Sequence, residues 1–306
     1  MGHPPLGLVI AVPLFVSTAF AQPSPPPAAA RSAPYSLPWL LRSTAPVSVV
    51  RLDETFAFSD GASPGSSATT AVSSLTAAYK ASPRWVPVFR QTWIRQRVTS
   101  GSAAVAGSAF SNPLVGTSYI RPLGTSWRLS GFLASTLPVG SGGGDAPDPR
   151  AAAAIAAAPP ARSAMENALF AVNYWSLVAG ADLSRVTPSL TFQCETTVFQ
   201  LTRVRGPEAQ DAHRTNLTAG LHLGHFFSPR LSLGADVRMQ RWMTNAAPVR
   251  NDAAAREQLT VAVGPRLHFK LGRHWLRPGL SYTRALDAPM SRRGYDILQL
   301  DMPLAF

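Results

Sequence analysis

Seven ionisable side chains in the second half of the chain are the groups that could bind a small polar or ionic solute. They are Glu195, His222, Asp236, Arg238, Arg266, Arg277 and Asp301. Most stand at alternate positions between apolar residues, so in an extended chain their side chains share one face. Three are arginines and three are carboxylates. They would either line a water-filled path or neutralise one another in a closed set of ion pairs, and the residue types leave both open.

The histidines and serines do not form a pattern typical of a catalytic or metal site. Candidate general bases are His213, His222, His225, His268 and His274. His225 is three residues from both His222 and Ser228, a spacing that puts either pair on opposite faces of a regular strand. No third ligand accompanies His222 and His225. We therefore expect no catalytic residue, no metal and no cofactor.

The elements that would position these groups are β-strands, because hydrophobicity alternates with a period of two. In 214–224, threonine, leucine and alanine occupy one face, and polar residues and glycine the other. A short turn at 227–230 follows, and 231–240 alternates in the same way. The two segments predict a hairpin with one wholly apolar face.

Alternating segments of this kind recur along the whole chain from about residue 47, and we count about twelve of them. They span 47–58, 69–80, 85–97, 109–121, 126–137, 166–178, 188–204, 214–226, 230–243, 257–271, 275–285 and 295–306. Short connectors at 81–84, 123–125, 180–187, 227–229 and 272–274 alternate with longer ones at 59–68, 98–108, 138–165, 205–213, 244–256 and 286–294. This connectivity favours an all-β fold, an antiparallel up-and-down transmembrane β-barrel, over a β-sandwich.

Composition agrees with a lipid-facing barrel. Hydrophobic residues make up 46% of the chain and charged residues 14%, whereas soluble domains have roughly 25% charged residues. No internal stretch approaches 18 uninterrupted apolar residues, as a transmembrane helix would require. The apolar residues are instead distributed over short alternating strands.

The N-terminal region divides into a signal peptide, 1–21, and a Pro/Ala-rich periplasmic tail, 22–46, before the barrel of 47–306. The apolar run Leu6 to Phe20 ends in a small-x-small pattern whose small residues are Ala19 and Ala21, which predicts cleavage after Ala21. The segment before the run has no lysine or arginine, which departs from the usual pattern. Cys194 is the one cysteine, so no disulfide is expected within the chain.

The net charge of +12 arises almost entirely from arginine. A basic chain can bind nucleic acid, but these arginines are scattered, without a recognition helix or an aromatic platform. We expect no nucleic acid partner. Anionic lipopolysaccharide outside the barrel, or a small anionic solute inside it, fits an exported protein better.

The end of the chain resembles the C-terminal insertion signal of Gram-negative outer-membrane proteins. Residues 295–306 alternate and end in phenylalanine, and Tyr295, Leu300, Leu304 and Phe306 match that signal. Pro303 departs from it. The resemblance implies an outer-membrane location and recognition by the barrel-assembly machinery.

A second resemblance covers about a tenth of the chain. Residues 112–116 and 137–142 are similar to small outer-membrane transporter barrels, including a family named for a phenol-degradation pathway. It implies the same architecture and leaves the solute undefined.

Three functions remain compatible with such a barrel. The first is a passive or substrate-selective channel for small solutes, because about twelve strands enclose a wider lumen than eight. The second is a structural or surface-interaction barrel with a sealed lumen, in which Arg292 and Arg293 of the last long loop contact lipopolysaccharide phosphates. The third is a membrane-embedded lipid-modifying enzyme, which the histidine and serine spacing does not support.

Overall fold

The computed structural model describes residues 35–61 and 63–306, and most of them lie in β-strands. The strands are β1 Val49–Asp60, β2 Ser66–Ala78, β3 Trp85–Ser100, β4 Ala103–Phe110, β5 Leu114–Leu123, β6 Trp127–Thr136, β7 Tyr174–Val186, β8 Leu190–Arg203, β9 His213–Ser228, β10 Leu231–Trp242, β11 Glu257–Leu267, β12 Phe269–Leu271, β13 His274–Leu276, β14 Gly279–Ala285 and β15 Asp296–Ala305. Three helices, α1 Pro149–Ala161, α2 Asn167–Phe170 and α3 Ala247–Asn251, and two short 3-10 turns, Ala253–Arg256 and Ser291–Arg293, lie in the connections.

The strands form one closed antiparallel barrel of twelve crossings. Each strand pairs with its sequence neighbour, and β1 pairs with β15 from Val49 opposite Ala305 to Phe58 opposite Asp296. Three crossings are interrupted: β4 continues into β5, β11 into β12, and β13 into β14. Closure leaves no sheet edge to face hydrocarbon. The predicted up-and-down barrel of about twelve strands is confirmed.

The strands are strongly tilted. Val49 is the first residue of β1 and pairs with Ala305 near the C-terminus. The residues paired across successive strands lead from Val49 to Asn216 on β9 and then to Trp242 on β10. Trp242 lies at the opposite end of the barrel from Val49, because it is the last residue of β10 before a long connection. Such a stagger is what closure of a twisted sheet requires.

The connections alternate in length with two exceptions. Short turns join β2 to β3, β5 to β6, β7 to β8, β9 to β10 and β12 to β13, and most connections at the other end are longer, up to 137–173. One exception is the predicted loop at 59–68, where the connection is only 61–65 and is shorter than the turn 79–84. The other is the predicted loop at 98–108, where β3 and β4 form a hairpin with Gly101 at positive φ. Its run of serine, alanine and glycine resembled a loop in composition but pairs as a strand.

The predicted strand at 166–178 is wrong. Residues 167–170 form α2, and β7 begins eight residues later than predicted, at Tyr174. Gly180 begins the predicted turn at 180–187 but lies inside β7, where a Cβ would meet the Arg42 guanidinium at 2.5 Å. A glycine within a strand can mark a close approach by another segment, and here it does.

The two faces of the wall differ as the alternation predicts. Outward positions carry exposed leucines, such as Leu221, Leu223 and Leu233, whereas the polar residues between them are buried. An apolar outer surface around a polar interior is the reverse of a soluble protein and suits a bilayer. In the described part of the chain, no helix is long and apolar enough to cross a membrane.

Two segments outside the wall fill the interior. The predicted tail, 22–46, is described from residue 35, and from there it runs inside the barrel, where Tyr35, Trp39 and Leu41 are buried. The connection 137–173 folds inward from the other end and carries α1 and α2. The predicted signal peptide, with Ala19 and Ala21, lies outside the described residues.

Candidate functional site

The candidate site is the barrel interior, where the side chains selected from the sequence lie. Glu195, His222, Asp236, Arg238, Arg266 and Asp301 are buried, and Arg277 is half-buried. They come from β8, β9, β10, β11, the β13–β14 junction and β15. All of them bond either to one another or to the segments that fill the interior, so they do not form a single open row.

The segment 35–47, which we call the N-terminal plug, is held in the interior around Trp39. The Trp39 backbone N–H donates to Asp236 Oδ2 at 3.2 Å, and Gln299 Nε2 donates to the Trp39 carbonyl at 3.2 Å. The Arg266 guanidinium lies over the indole ring, 4.2 Å from its centroid. Trp39 is 1% exposed, so these contacts fix it as a packed part of the interior.

Arg42 attaches the same plug to the opposite wall. Its guanidinium lies 3.3 Å from Asp182 Oδ2 and 3.1 Å from Glu195 Oε1. The Arg42 backbone N–H also donates to Glu195 Oε2 at 2.7 Å. Nearby, the Tyr35 hydroxyl donates to Gln193 Oε1 at 2.7 Å. The plug therefore supplies the cation that pairs with two buried carboxylates of the wall.

Inward-facing glycines make room for the plug. A Cβ at Gly220 would meet Leu41 at 2.2 Å, at Gly224 Ser36 at 2.3 Å, at Gly279 the Trp39 ring at 2.3 Å, and at Gly180 Arg42 at 2.5 Å. Any larger side chain at these positions would occupy the space of the plug. The four strand glycines thus outline the path of residues 36–42 along the inner wall.

The connection 137–173, which we call the inward loop, fills the other half of the interior. In α1, Ala151, Ala154 and Ala158 are buried against inward residues of the wall such as Ile94 and Ala109. Small side chains let the helix approach the sheet closely, and a Cβ at Gly107 would meet the Arg150 carbonyl oxygen at 2.2 Å. Asp148 begins α1 by accepting from the backbone N–H of Arg150 at 2.9 Å.

Arg162, directly after α1, carries the polar attachment of the inward loop. Its Nη1 donates to Asp53 Oδ1 and Thr55 Oγ1 of β1, both at 2.6 Å, and its Nε donates to Glu166 Oε2 at 2.9 Å. Arg90 of β3 contacts Glu166 Oε1 at 2.5 Å. Burial alone would raise the pKa of Glu166, but the neighbouring Arg162 and Arg90 outweigh it and hold that pKa below its usual range.

The attachments of the two segments join in one network. Arg51 contacts Asp53 at 3.5 Å and Asp301 at 2.6 Å, and Arg266 contacts Asp301 at 2.9 Å. Positive and negative groups therefore alternate from Glu166 of the inward loop, through the wall, to Arg266 over Trp39. A disturbance of Asp53 or Asp301 would affect both segments at once.

Among residues 35–61 and 63–306, arginines outnumber carboxylates in the interior. The arginines are Arg42, Arg51, Arg90, Arg128, Arg162, Arg238, Arg266 and Arg277, and the carboxylates are Asp53, Glu166, Asp182, Glu195, Asp236 and Asp301. The three arginines and three carboxylates predicted from the sequence have no net charge. The net charge of the interior becomes positive when the two segments and the remaining strands are included.

The interior also holds polar pairs with histidine. Ser232 Oγ lies 2.8 Å from His268 Nε2, and His222 Nδ1 lies 2.6 Å from Asp236 Oδ1. His268 has no carboxylate partner within 35–61 and 63–306, so the Ser232 pair lacks the third group that would orient a catalytic base. Over the same residues, no group of three or more His, Cys, Asp or Glu is arranged to hold a metal ion.

The predicted insertion residues take two different positions. Leu300, Leu304 and Phe306 are exposed on the outer face, whereas Tyr295 precedes β15 and is buried beneath the inward loop. In the last long connection, Arg292 pairs with Asp252 at 2.8 Å, and Arg293 donates to the Asp60 carbonyl. Both arginines contact neighbouring loops at that rim.

Sequence reasoning missed the residues that hold the two segments, above all Arg42, Asp53 and Arg162. Two signals were present: Arg162 and Glu166 have the i,i+4 spacing of a helical ion pair, and Arg51 and Asp53 flank Leu52 on one strand face. Neither signal shows that 35–47 and 137–173 fold inward. That information is nonlocal.

No family profile matches the chain. No curated protein matches it either. Among solved structures, an outer membrane channel from Pseudomonas putida F1 matches at 14% identity with a TM-score of 0.58, covering 88% of this chain and 98% of that one. The NanC and KdgM porins align at 9% and 10% identity over 83% and 84% of this chain and 98% and 99% of theirs, with TM-scores of 0.47 and 0.46. The first likeness shows that this chain shares the barrel fold of that protein.

Proposed function

We propose that the protein is an outer-membrane channel for small solutes, with the described arrangement as its closed state. The observation that carries the proposal is that the twelve-stranded barrel is filled by two segments outside its wall, of which the N-terminal plug is held mainly by polar contacts and the inward loop by ion pairs and an apolar cluster. A barrel that needed only a solid interior could fill it with side chains from the wall, as eight-stranded barrels do. Here the filling is separable from the wall.

Polar attachment makes movement of the N-terminal plug feasible. Its Arg42 ion pairs exchange for water and salt if the plug leaves, whereas the apolar cluster around α1 opposes hydration and favours retention of the inward loop. Outside the apolar cluster that packs against α1 and α2, the inner wall is polar, with Thr55, Ser74, Thr92, Ser130, Thr197 and Thr218 among its inward residues. Such a surface supports a water-filled path.

We propose that the path prefers anions, because its arginines outnumber its carboxylates. Removal of the N-terminal plug would also take Arg42 away and leave Asp182 and Glu195 exposed on one wall. The preference would therefore be modest on that side and stronger beside Arg51, Arg266 and Arg277. The solute class is a small anion or polar molecule.

The route to the membrane belongs to the same proposal. We propose cleavage after Ala21, exit through the periplasm, and insertion through the last strand by the barrel-assembly machinery. Support comes from the small residues Ala19 and Ala21 and from the terminal alternation, in which Leu300, Leu304 and Phe306 face outward. Mass spectrometry of the membrane protein should give a chain that begins at Gln22, and retention of Met1 would contradict this route.

The alternative is a structural barrel sealed permanently by the same network, which the burial of Trp39, Arg162 and Arg238 favours. Planar-bilayer recordings of the wild-type protein and of a variant lacking residues 35–46 separate the two. We expect small, infrequent openings in wild type and a larger, weakly anion-selective conductance in the variant. A variant that retains heat-modifiable barrel mobility but conducts no ions would establish the sealed barrel and exclude the channel.

A further inference from the structure

Among the arginines on the outer face of the barrel, two lie side by side on β3, where hydrocarbon or lipid headgroups must lie. Arg95 and Arg97 on β3 are exposed, while Ile94 between Trp93 and Arg95 is fully buried in the interior. Both arginines stand near the end of β3 that leads into the hairpin turn at 101–102, on the side of the long connections. A charge on this face is costly unless it meets water or an anion.

A cavity of about 550 Å³ surrounds these arginines. The residues paired with them are small: Ala71 and Ser108 flank Arg95, and Thr69 and Ala106 flank Arg97. Arg150, exposed at the start of α1, also lines the cavity. The small neighbours leave space above the sheet that the arginines themselves do not fill.

The cavity is positively charged. Neither Arg95 nor Arg97 forms an ion pair or a side-chain hydrogen bond with the rest of the described chain, 35–61 and 63–306. The guanidinium of Arg95 instead lies over the Trp93 ring, 4.2 Å from its centroid. The carboxylate among the lining residues is Asp148, which caps α1. Three arginines against one aspartate suit an anionic group with several oxygens, such as a phosphate.

A second hollow, of about 380 Å³, adjoins the first and shares Trp93 with it. Its walls are mainly apolar and include Leu52, Leu75, Leu300 and Met302. Trp93 stacks on Phe110 with ring centroids 5.7 Å apart, and both rings are exposed. An aromatic pair between a basic hollow and an apolar one matches the boundary between lipid headgroups and acyl chains.

Two carboxylates line the apolar hollow, Asp53 and Glu54, and Asp53 is buried and pairs with arginines inside the barrel. Glu54 lies on the outer face between the exposed Leu52 and Phe56, opposite Ser73, with Gln91 on the next strand. Its side chain makes no hydrogen bond with another described residue. A plain acyl chain would leave this group without a partner, whereas a chain bearing hydroxyl or amide groups could donate to it.

We propose that these two hollows form one binding site for a phosphorylated glycolipid of the outer leaflet, the lipid A part of lipopolysaccharide. A phosphate lies against Arg95, Arg97 and Arg150, and an acyl chain passes Trp93 into the hollow beside Glu54. The site is on the outside of the wall, so it is independent of any path through the barrel.

The test is binding of purified lipid A to the full-length protein in detergent, measured by native mass spectrometry and by fluorescence titration. The double variant Arg95→Gln/Arg97→Gln should bind lipid A about ten-fold more weakly, because it loses two charge-assisted contacts to phosphate. The matched control is Arg121→Gln/Arg185→Gln at the opposite rim, where Arg185 lies over Trp127 as Arg95 lies over Trp93. The control should bind like wild type.

Three comparisons make the proposal falsifiable even if one variant folds poorly. Wild-type protein should bind lipid A more tightly than the same lipid after phosphatase treatment, and more tightly than phosphatidylglycerol. Ser73→Trp, which fills the apolar hollow, should weaken binding of lipid A but not of inorganic phosphate. Equal binding of the dephosphorylated lipid or of phosphatidylglycerol, or full binding by the double variant, would overturn the site.

Discussion

At the scale of single residues, Arg162 makes the main polar contact between the inward loop and the barrel wall. It is 1% exposed, donates to Asp53 and Thr55 of the wall, and pairs with Glu166 of the loop itself. If it is removed, two carboxylates remain in the interior with fewer partners, and a buried pair broken in this way costs about 3–5 kcal/mol. The loss destabilises the closed state, in which Asp53 and Glu166 are buried. It does not destabilise an open state, because both carboxylates would then be exposed to water.

We therefore expect Arg162→Ala to increase ion conductance in planar bilayers while the barrel keeps its heat-modifiable mobility. Arg150→Ala, at the exposed start of the same helix, is the matched control and should conduct like wild type. Unchanged conductance in a folded Arg162→Ala barrel would show that the apolar contacts of α1 hold the loop without this ion pair.

The same contact predicts a pH dependence. The pKa of Glu166 in the closed barrel lies below that of a free glutamate, about 4.3. The attachment is therefore complete above pH 4.3 and is lost as pH falls through the lower value. We expect open probability to rise on acidification below about pH 4, and Glu166→Gln should already show part of that increase at pH 7. An open probability that is the same at pH 3 and pH 7 would argue against this role.

At the scale of elements, the N-terminal plug fits against the inner wall because glycines on the strands leave space for its side chains. Gly220 lies on β9 where a Cβ would overlap Leu41, so Gly220→Val should displace the plug and leave strand pairing intact. The variant should conduct like the one that lacks 35–46. Gly131→Ala on β6 is the control, because nothing lies within 4 Å of its added Cβ. A Gly220→Val barrel that remains closed would mean that the plug can be accommodated along another path.

At the scale of the whole molecule, closure depends on the last strand. β15 pairs with β1, β13 and β14, so the barrel cannot close before it is in place. Deletion of Phe306 should lower the amount of heat-modifiable barrel in the membrane and leave export to the periplasm unchanged. Phe306→Tyr should assemble normally. Equal membrane assembly of the deletion variant would contradict a role for the terminal residue.

The sequence determined the wall of this protein, and only the tertiary structure decided what the wall encloses. Alternation with a period of two is a local property of the sequence. It predicts that neighbours such as Leu221 and His222 face opposite sides of the wall, as they do. A lipid environment enforces that pattern on every strand, because each outward polar group is costly. Glu54, Arg95 and Arg97 are exceptions to the pattern, and they mark the proposed lipid site.

The segments that fill the interior are not predicted by local hydrophobic alternation. Residues 35–47 and 137–173 contain proline, alanine and glycine without alternation, a composition that describes an exposed tail or loop equally well. Their position depends on partners far away in sequence: Arg42 meets Asp182 and Glu195, and Arg162 meets Asp53. No local periodicity encodes such pairs. The glycines at 180, 220, 224 and 279 are present because the plug packs against them. Their role can be recognised only in the tertiary structure, which shows the plug beside them.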